Sequence, residues 1–166
     1  MSMLRIIPLD TPTLGDRSYL VHDGEVGFVD PQRDIDRVVD LADREQVRIT
    51  HVFETHIHND YVTGGLALAE LTGAAYCVNA ADQVSYTCTP VRDGEELAVG
   101  ASMRLRALST PGHTFTHLSY ALSADGEPVA VFTGGSLLYG TTGRPDLLGS
   151  EHTHVRLGAA PRRGAS

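Results

Sequence analysis

The sequence predicts a chain of mixed α/β type, α+β in arrangement, whose sheets carry their helices on the outside. Three observations predict it. Apolar, β-rich stretches separated by turn residues open the chain, a strand–helix alternation follows, and the second half returns to strands joined by glycine turns.

The opening strands fall at Met3–Leu9, Ser18–His22 and Gly27–Asp30, with Asp23-Gly24 as a hairpin turn between the last two. From Asp34, read as an N-cap, Ile35, Val38, Val39, Leu41 and Ala42 recur at helical spacing up to about Gln46. Ile49–Glu54 reads as a short strand, Gly64–Thr72 as a buried helix behind a double glycine, and Ala75–Asn79 as another strand. Strands then follow at Glu96–Val99, Met103–Ser109, Leu118–Leu122 and Val129–Phe132, with turns at Gly100-Ala101 and Asp125-Gly126. After Gly143 only Asp146–Leu148 offers a short helix, and no repeat of solenoid or propeller period is present.

The 166 residues, 42% apolar and 20% charged, suit one domain. A chain of this size buries about 68–70% of the surface it exposes when unfolded, which is enough for a core without disulfide staples. Cys77 and Cys88 lack CxxC spacing and any cue for a reactive thiolate, so both read as structural and point to a reducing compartment. The net charge of −8 disfavours nucleic acid and anionic membranes as partners. With no apolar run of membrane-spanning length and no signal-peptide core at MSMLRIIPLD, the expected location is the cytoplasm. All 13 basic residues are Arg, a sign of coding bias. Residues 1–154 carry −11, whereas 155–166 (VRLGAAPRRGAS) carry +3 and read as foreign to the rest.

The chemistry concentrates in histidines. The strand ending at Glu54 runs into THIHNDY, and in extended backbone His56 and His58 point the same way, so both rings face one ion while Asp60 adds a hard oxygen ligand or a base. Later, Thr110-Pro111-Gly112-His113 follows another strand with a sharp exit that returns His113 to the same place. Three neutral imidazoles suit zinc, iron or a similar ion, and a fourth position left open makes such a site catalytic. His22, His51, His152 and His154 read as surface residues. His117, four residues after His113, is either an outer support of the site or a partner in a core hydrogen bond.

Other residues carry bland readings beside functional ones. Gly64-Gly65 marks either a backbone approach to substrate or a helix start packed close on a sheet. Arg144 and Asp146 form either an anion hold or an ion pair around Pro145, and Asp30 either buttresses the metal loop or caps a turn before Pro31.

In the order VDPQRD, THIHNDY, TPGHTFTH and VFTGGSLLYGTTGRPD, the chain resembles the metallo-β-lactamase superfamily over about residues 3–154. Within it the chain is most similar to the persulfide (sulfur) dioxygenases and their rhodanese-fused relatives, with glyoxalase II as close kin. The resemblance implies an αββα sandwich with the metal at the edge between two sheets. It makes residues 1–154 a partial domain of that kind, incomplete at its C-terminus, and 155–166 a tail. It also implies that His56, His58 and His113 form the first metal site and that Asp60 is a ligand of the second.

Three departures bear on mechanism. Tyr61 stands where the family has its next His, Gly135 stands where the phrase Thr-Gly-Asp supplies a carboxylate, and the later Pro-x-His segment is missing. Two-metal hydrolysis needs bridging and second-site ligands, so the expectation is one transition-metal ion, Fe(II) or Zn(II). The leading expectation is a dioxygenase that oxidises a low-molecular-weight persulfide to sulfite. The alternative is a glyoxalase II-like thioester hydrolase using metal-bound water with Asp60 as base, and a third reading is a truncated, non-catalytic remnant or fragment. The expected partners are a small thiol, persulfide or thioester, without nucleic acid or membrane, and a homo-oligomer is left open.

Overall fold

A computed structural model of the chain describes residues 4–11, 16–29, 31, 33–57, 63–138 and 141–142. Strands β1 (Arg5–Thr11), β2 (Asp16–His22) and β3 (Glu25–Val29) run antiparallel, with Leu20 opposite Ile7 and Phe28. Helix α1 (Asp36–Glu45) then leads to β4 (Arg48–Phe53), and α2 (Gly65–Thr72) leads to β5 (Ala75–Asn79) and β6 (Thr89–Val91). β3, β4, β5 and β6 pair in parallel, completing a six-stranded sheet ordered β1-β2-β3-β4-β5-β6. Strands β7 (Glu96–Val99), β8 (Met103–Ser109), β9 (Leu118–Ala124) and β10 (Glu127–Phe132) form a second, antiparallel sheet ordered β10-β9-β8-β7. A two-residue pair, β11 (Leu137–Leu138) with β12 (Thr141–Thr142), closes the described part.

Two cores follow from the alternation along the strands. Phe53, Cys77 and Val91 of the first sheet meet Met103, Leu105, Tyr120 and Phe132 of the second, filling the space between the sheets. On the other face of the first sheet, Val26, Ile49, Val52 and Val78 meet Val38 and Ala42 of α1 and Leu68 and Ala69 of α2. The parallel strands β4 and β5 are buried on both faces, as parallel strands flanked by a helix layer are. The mixed α+β sandwich expected from the sequence is therefore present as a helix layer, a mixed sheet and an antiparallel sheet.

Local chemistry corrects several boundaries. The N-cap of α1 is Ile35 rather than Asp34, with no side-chain cap. Gln46 ends the helix in the left-handed conformation, its N–H turned back to Ala42 and Asp43. Gly73 closes α2 in the same way at φ 71°, where a residue without Cβ has no strain to bear. β6 escaped the sequence reading because Pro90 argues against a strand, and β6 accommodates it at the sheet's edge. Met3, Asp30 and the segment Asp146–Leu148 lie outside the described residues. No helix among the described residues is long and apolar enough to cross a membrane.

Candidate metal centre

Three connections meet at one end of the two sheets. The first leaves β4, where the chain bends at Thr55-His56 instead of continuing as extended backbone. The second is the turn from Thr110 to His117 between β8 and β9, and the third is Thr133-Gly134-Gly135-Ser136 after β10. Backbone hydrogen bonds fasten them together: Leu118 N–H donates to the Thr55 carbonyl at 2.7 Å, and Thr110 N–H to that of His117 at 2.9 Å. The Ser136 hydroxyl donates to the Thr110 carbonyl at 2.8 Å.

Three imidazoles gather there. The His56 ring meets His113 edge to face at a centroid distance of 4.7 Å, and His117 stacks on His56 at 5.1 Å with 23° between planes. The Pro-Gly turn thus returns His113 to His56 across nearly sixty residues, as the sequence predicts. His56 is buried, its Nδ1 within 2.9 Å of Thr55 Oγ1. Such a contact fixes the orientation of a ligating imidazole. His117 is fully buried with Nδ1 2.9 Å from Thr110 Oγ1, which also lies 2.8 Å from Ser119 Oγ. The core hydrogen bond expected of His117 is therefore present, together with a stacking role against His56. His58, Asp60 and Tyr61 lie outside the described residues, as do Arg144, Asp146, His152 and His154.

The glycine segment packs on both histidine-bearing turns. Gly134, at φ 47°, lies where a Cβ would overlap the Thr55 side chain. A Cβ at Gly135 would stand 2.5 Å from His113 Cδ2. Where the family resemblance implies a carboxylate, this chain presents bare backbone with an imidazole against it.

The donor chemistry fits a nitrogen-preferring transition metal. His113 Nδ1 is buried and has no hydrogen-bond partner among the described residues, which suits a nitrogen that serves an ion. Among the described residues alone, no three His, Cys, Asp or Glu side chains form a complete metal-binding group. His56 and His113 would supply two nitrogens of a larger set.

Two residues before His56 lies a buried carboxylate that the sequence pattern does not single out. Glu54 is 1% exposed, and its Oε1 accepts from Thr63 Oγ1 at 2.7 Å and Tyr76 OH at 2.9 Å. Burial, and then the Glu54 charge, push the Tyr76 phenol well above its usual range, so it stays a proton donor. A Cβ at Gly65 would overlap Glu54 Oε1, so the close-packing reading of the double glycine is the one the fold bears out. The available signal was an acid at the end of the apolar run HVFE, immediately before Thr-His.

Of the histidines expected at the surface, His22 is buried and His51 is half-buried. His22 is 6% exposed, with Nε2 3.6 Å from Glu45 Oε2 at the end of α1, the helix that covers this face of the sheet. His51 is half-buried and stacks on Phe53 at 5.7 Å, and burial lowers its pKa against the opposing charge of Glu25. Cys77 is buried, and burial pushes its thiol up to about 12; Cys88 is half-buried.

The sequence profile of the metallo-beta-lactamase superfamily matches residues 14–164. The chain is 34% identical over 139 residues to a cytoplasmic hydroxyacylglutathione hydrolase of Arabidopsis thaliana, covering 80% of this chain and 54% of that one. It therefore spans about half the length of that curated relative. Among solved structures, a metallo-beta-lactamase from Staphylococcus aureus superposes with a TM-score of 0.81 at 30% identity, over 89% of this chain and 48% of that one. ETHE1 from Myxococcus xanthus superposes at 0.76 and 32% identity, over 84% and 61%.

Proposed function

The chain belongs to the metallo-beta-lactamase superfamily, and from that premise we propose that it is a mononuclear metal-dependent enzyme that oxidises a low-molecular-weight persulfide to sulfite. In this reading His56, His58 and His113 hold a single ion and Asp60 lies beside them as a further ligand or base. The observation that supports one ion over two is Gly135 itself, which lies against His113 and has no carboxylate to bridge to a second ion.

Iron bound there would supply the redox centre at which sulfur and dioxygen meet. The balance is one persulfide, one O2 and one water giving one thiol, one sulfite and two protons. The outer sulfur loses four electrons, dioxygen gains four, the S–S bond breaks and three S–O bonds remain. No further reductant is required. The chain's own part is orientation: His117 stacks on His56 and fixes its plane, and Thr110 holds His117 in turn. Phe115, 53% exposed and two residues after His113, would give an apolar contact to the carbon frame of a small thiol.

The names of the curated relatives favour a second reading, hydrolysis of a glutathione thioester. Water would attack the thioester carbonyl, Asp60 would take its proton, and the C–S bond would break to release the thiol. Both readings place a small sulfur compound at the site and carry the cytoplasm, with no nucleic-acid or membrane partner, as the setting.

Metal analysis paired with two assays tests them. Iron, with uptake of one O2 and release of one sulfite per persulfide, is the expected result. Zinc with cleavage of a hydroxyacylglutathione and no oxygen uptake would overturn it in favour of hydrolysis. Turnover of neither would overturn both.

A further inference from the structure

The buried Glu54 carboxylate takes no part in the chemistry above, yet it lies between the end of β4 and the start of α2, the elements that flank the segment carrying His56. Taking a carboxylate out of water is unfavourable unless hydrogen bonds compensate, and Thr63 and Tyr76 both supply them. Thr63 Oγ1 has a single proton, and Glu54 Oε1 at 2.7 Å is a nearer acceptor than the Pro31 carbonyl at 3.0 Å. The same hydroxyl accepts from the Gly65 N–H at 3.0 Å, at the first turn of α2. Tyr76 OH reaches Oε1 from β5, and the bare Cα of Gly65 makes room for the carboxylate. The Glu54 backbone is held from both sheets. Its N–H donates to the Cys77 carbonyl at 3.0 Å, and its carbonyl accepts from Tyr120 OH at 2.9 Å. The next carbonyl, of Thr55, accepts from Leu118 N–H.

We propose that Glu54 is a positioning residue: through Thr63 and Tyr76 it ties the end of β4 to the start of α2, and so fixes where His56 stands relative to His113. The consequence for metal binding rests on the metal-centre reading above, whereas the tie itself does not.

Hydrogen exchange on the metal-free chain and zinc titration test the two parts separately, using Thr63→Val, which removes the hydroxyl at nearly constant volume, and Thr63→Ser, which restores it. Thr63→Val is expected to speed exchange at the Thr55–Ile57 amides at least about tenfold, with Met103–Ser109 in β8 unchanged. It should also weaken zinc binding roughly tenfold, the lower range for an outer support of a metal site. Thr63→Ser recovers both. Exchange at Thr55–Ile57 equal to wild type would overturn the tie. Faster exchange with unchanged zinc affinity would overturn the positioning of His56. If the wild-type chain binds neither zinc nor Fe(II), the metal-centre reading falls and exchange alone decides the tie.

Discussion

The His113 imidazole lies directly against the Cα of Gly135, so that a Cβ there would stand 2.5 Å from Cδ2 and 2.8 Å from Nε2. Real Cβ atoms do not approach a ring so closely, and any side chain at this position must displace His113. Two substitutions then separate displacement from donation. Gly135→Ala moves the ring and adds no ligand, so metal affinity falls. Gly135→Asp moves it equally but brings a carboxylate, so affinity rises above that of the native glycine. The gap between the two variants is expected to be roughly 10- to 100-fold, read by competition with a chelator. Equal dissociation constants for Ala and Asp would show that the carboxylate finds no place in the centre.

Thr110→Val tests the support behind His56. His117 is fully buried and Thr110 Oγ1 holds its Nδ1, so the valine leaves an imidazole nitrogen without that partner. A buried polar group stripped of its partner costs about 1–3 kcal/mol. The urea midpoint is expected to fall accordingly with an unchanged slope. A midpoint within error of wild type would mean that His117 does not depend on Thr110.

Much of this arrangement was legible in the sequence, for reasons tied to particular residues. Strands β5, β7 and β8 have the ends their sequence predicts, because each is a short apolar run bounded by Gly, Asn or Ser. His56 and His113 are expected together because one leaves the end of a strand and the other follows a strand through Pro111-Gly112, and the 4.7 Å between their rings bears out that proximity. Glu54 escaped because an isolated acid in sequence reads as solvated, and only the approach of Tyr76, Thr63 and Gly65 from separate elements shows it buried. His22 is buried for a related reason: its exposure depends on what covers its face of the sheet, here the end of α1 at Glu45, and that packing is not a local property. The packing of Gly134 on Thr55 was hidden too, since it joins positions some eighty residues apart.

Alkaline conditions should expose the burial of Cys77. Its folded-state pKa, about 12, lies above the ordinary thiol value of 9.0 with burial as the main cause. Between those values the unfolded chain releases this proton and the folded chain keeps it, so the unfolded state binds fewer protons and stability falls as pH rises. The contribution is fully present below pH 9 and is lost towards pH 12, at no more than about 1.4 kcal/mol per pH unit. The raised Tyr76 phenol acts in the same sense. Urea titrations from pH 8 upward should show a shallower decline for Cys77→Ala than for wild type, whatever its stability at neutral pH. Parallel declines would show that this thiol does not contribute to the pH dependence.

Adding and removing an ion gives the most direct test of the centre. A ligand that binds only the folded state stabilises it by mass action, by about 2.7 kcal/mol at one hundred times its Kd. For a chain of this size each kcal/mol moves Tm by about 2–4 °C, so saturating zinc should raise Tm by roughly 5–10 °C and EDTA should reverse the shift. His113 is the informative position to remove, being half-buried where His56 is packed under His117. His113→Ala therefore takes away a nitrogen at a smaller cost to the core. The metal-free variant should melt near the metal-free wild type, and the zinc-dependent rise should shrink to a fraction of its size. A full rise in His113→Ala would place the ion elsewhere on the chain, and saturation at two zinc ions per chain would overturn the single-ion centre.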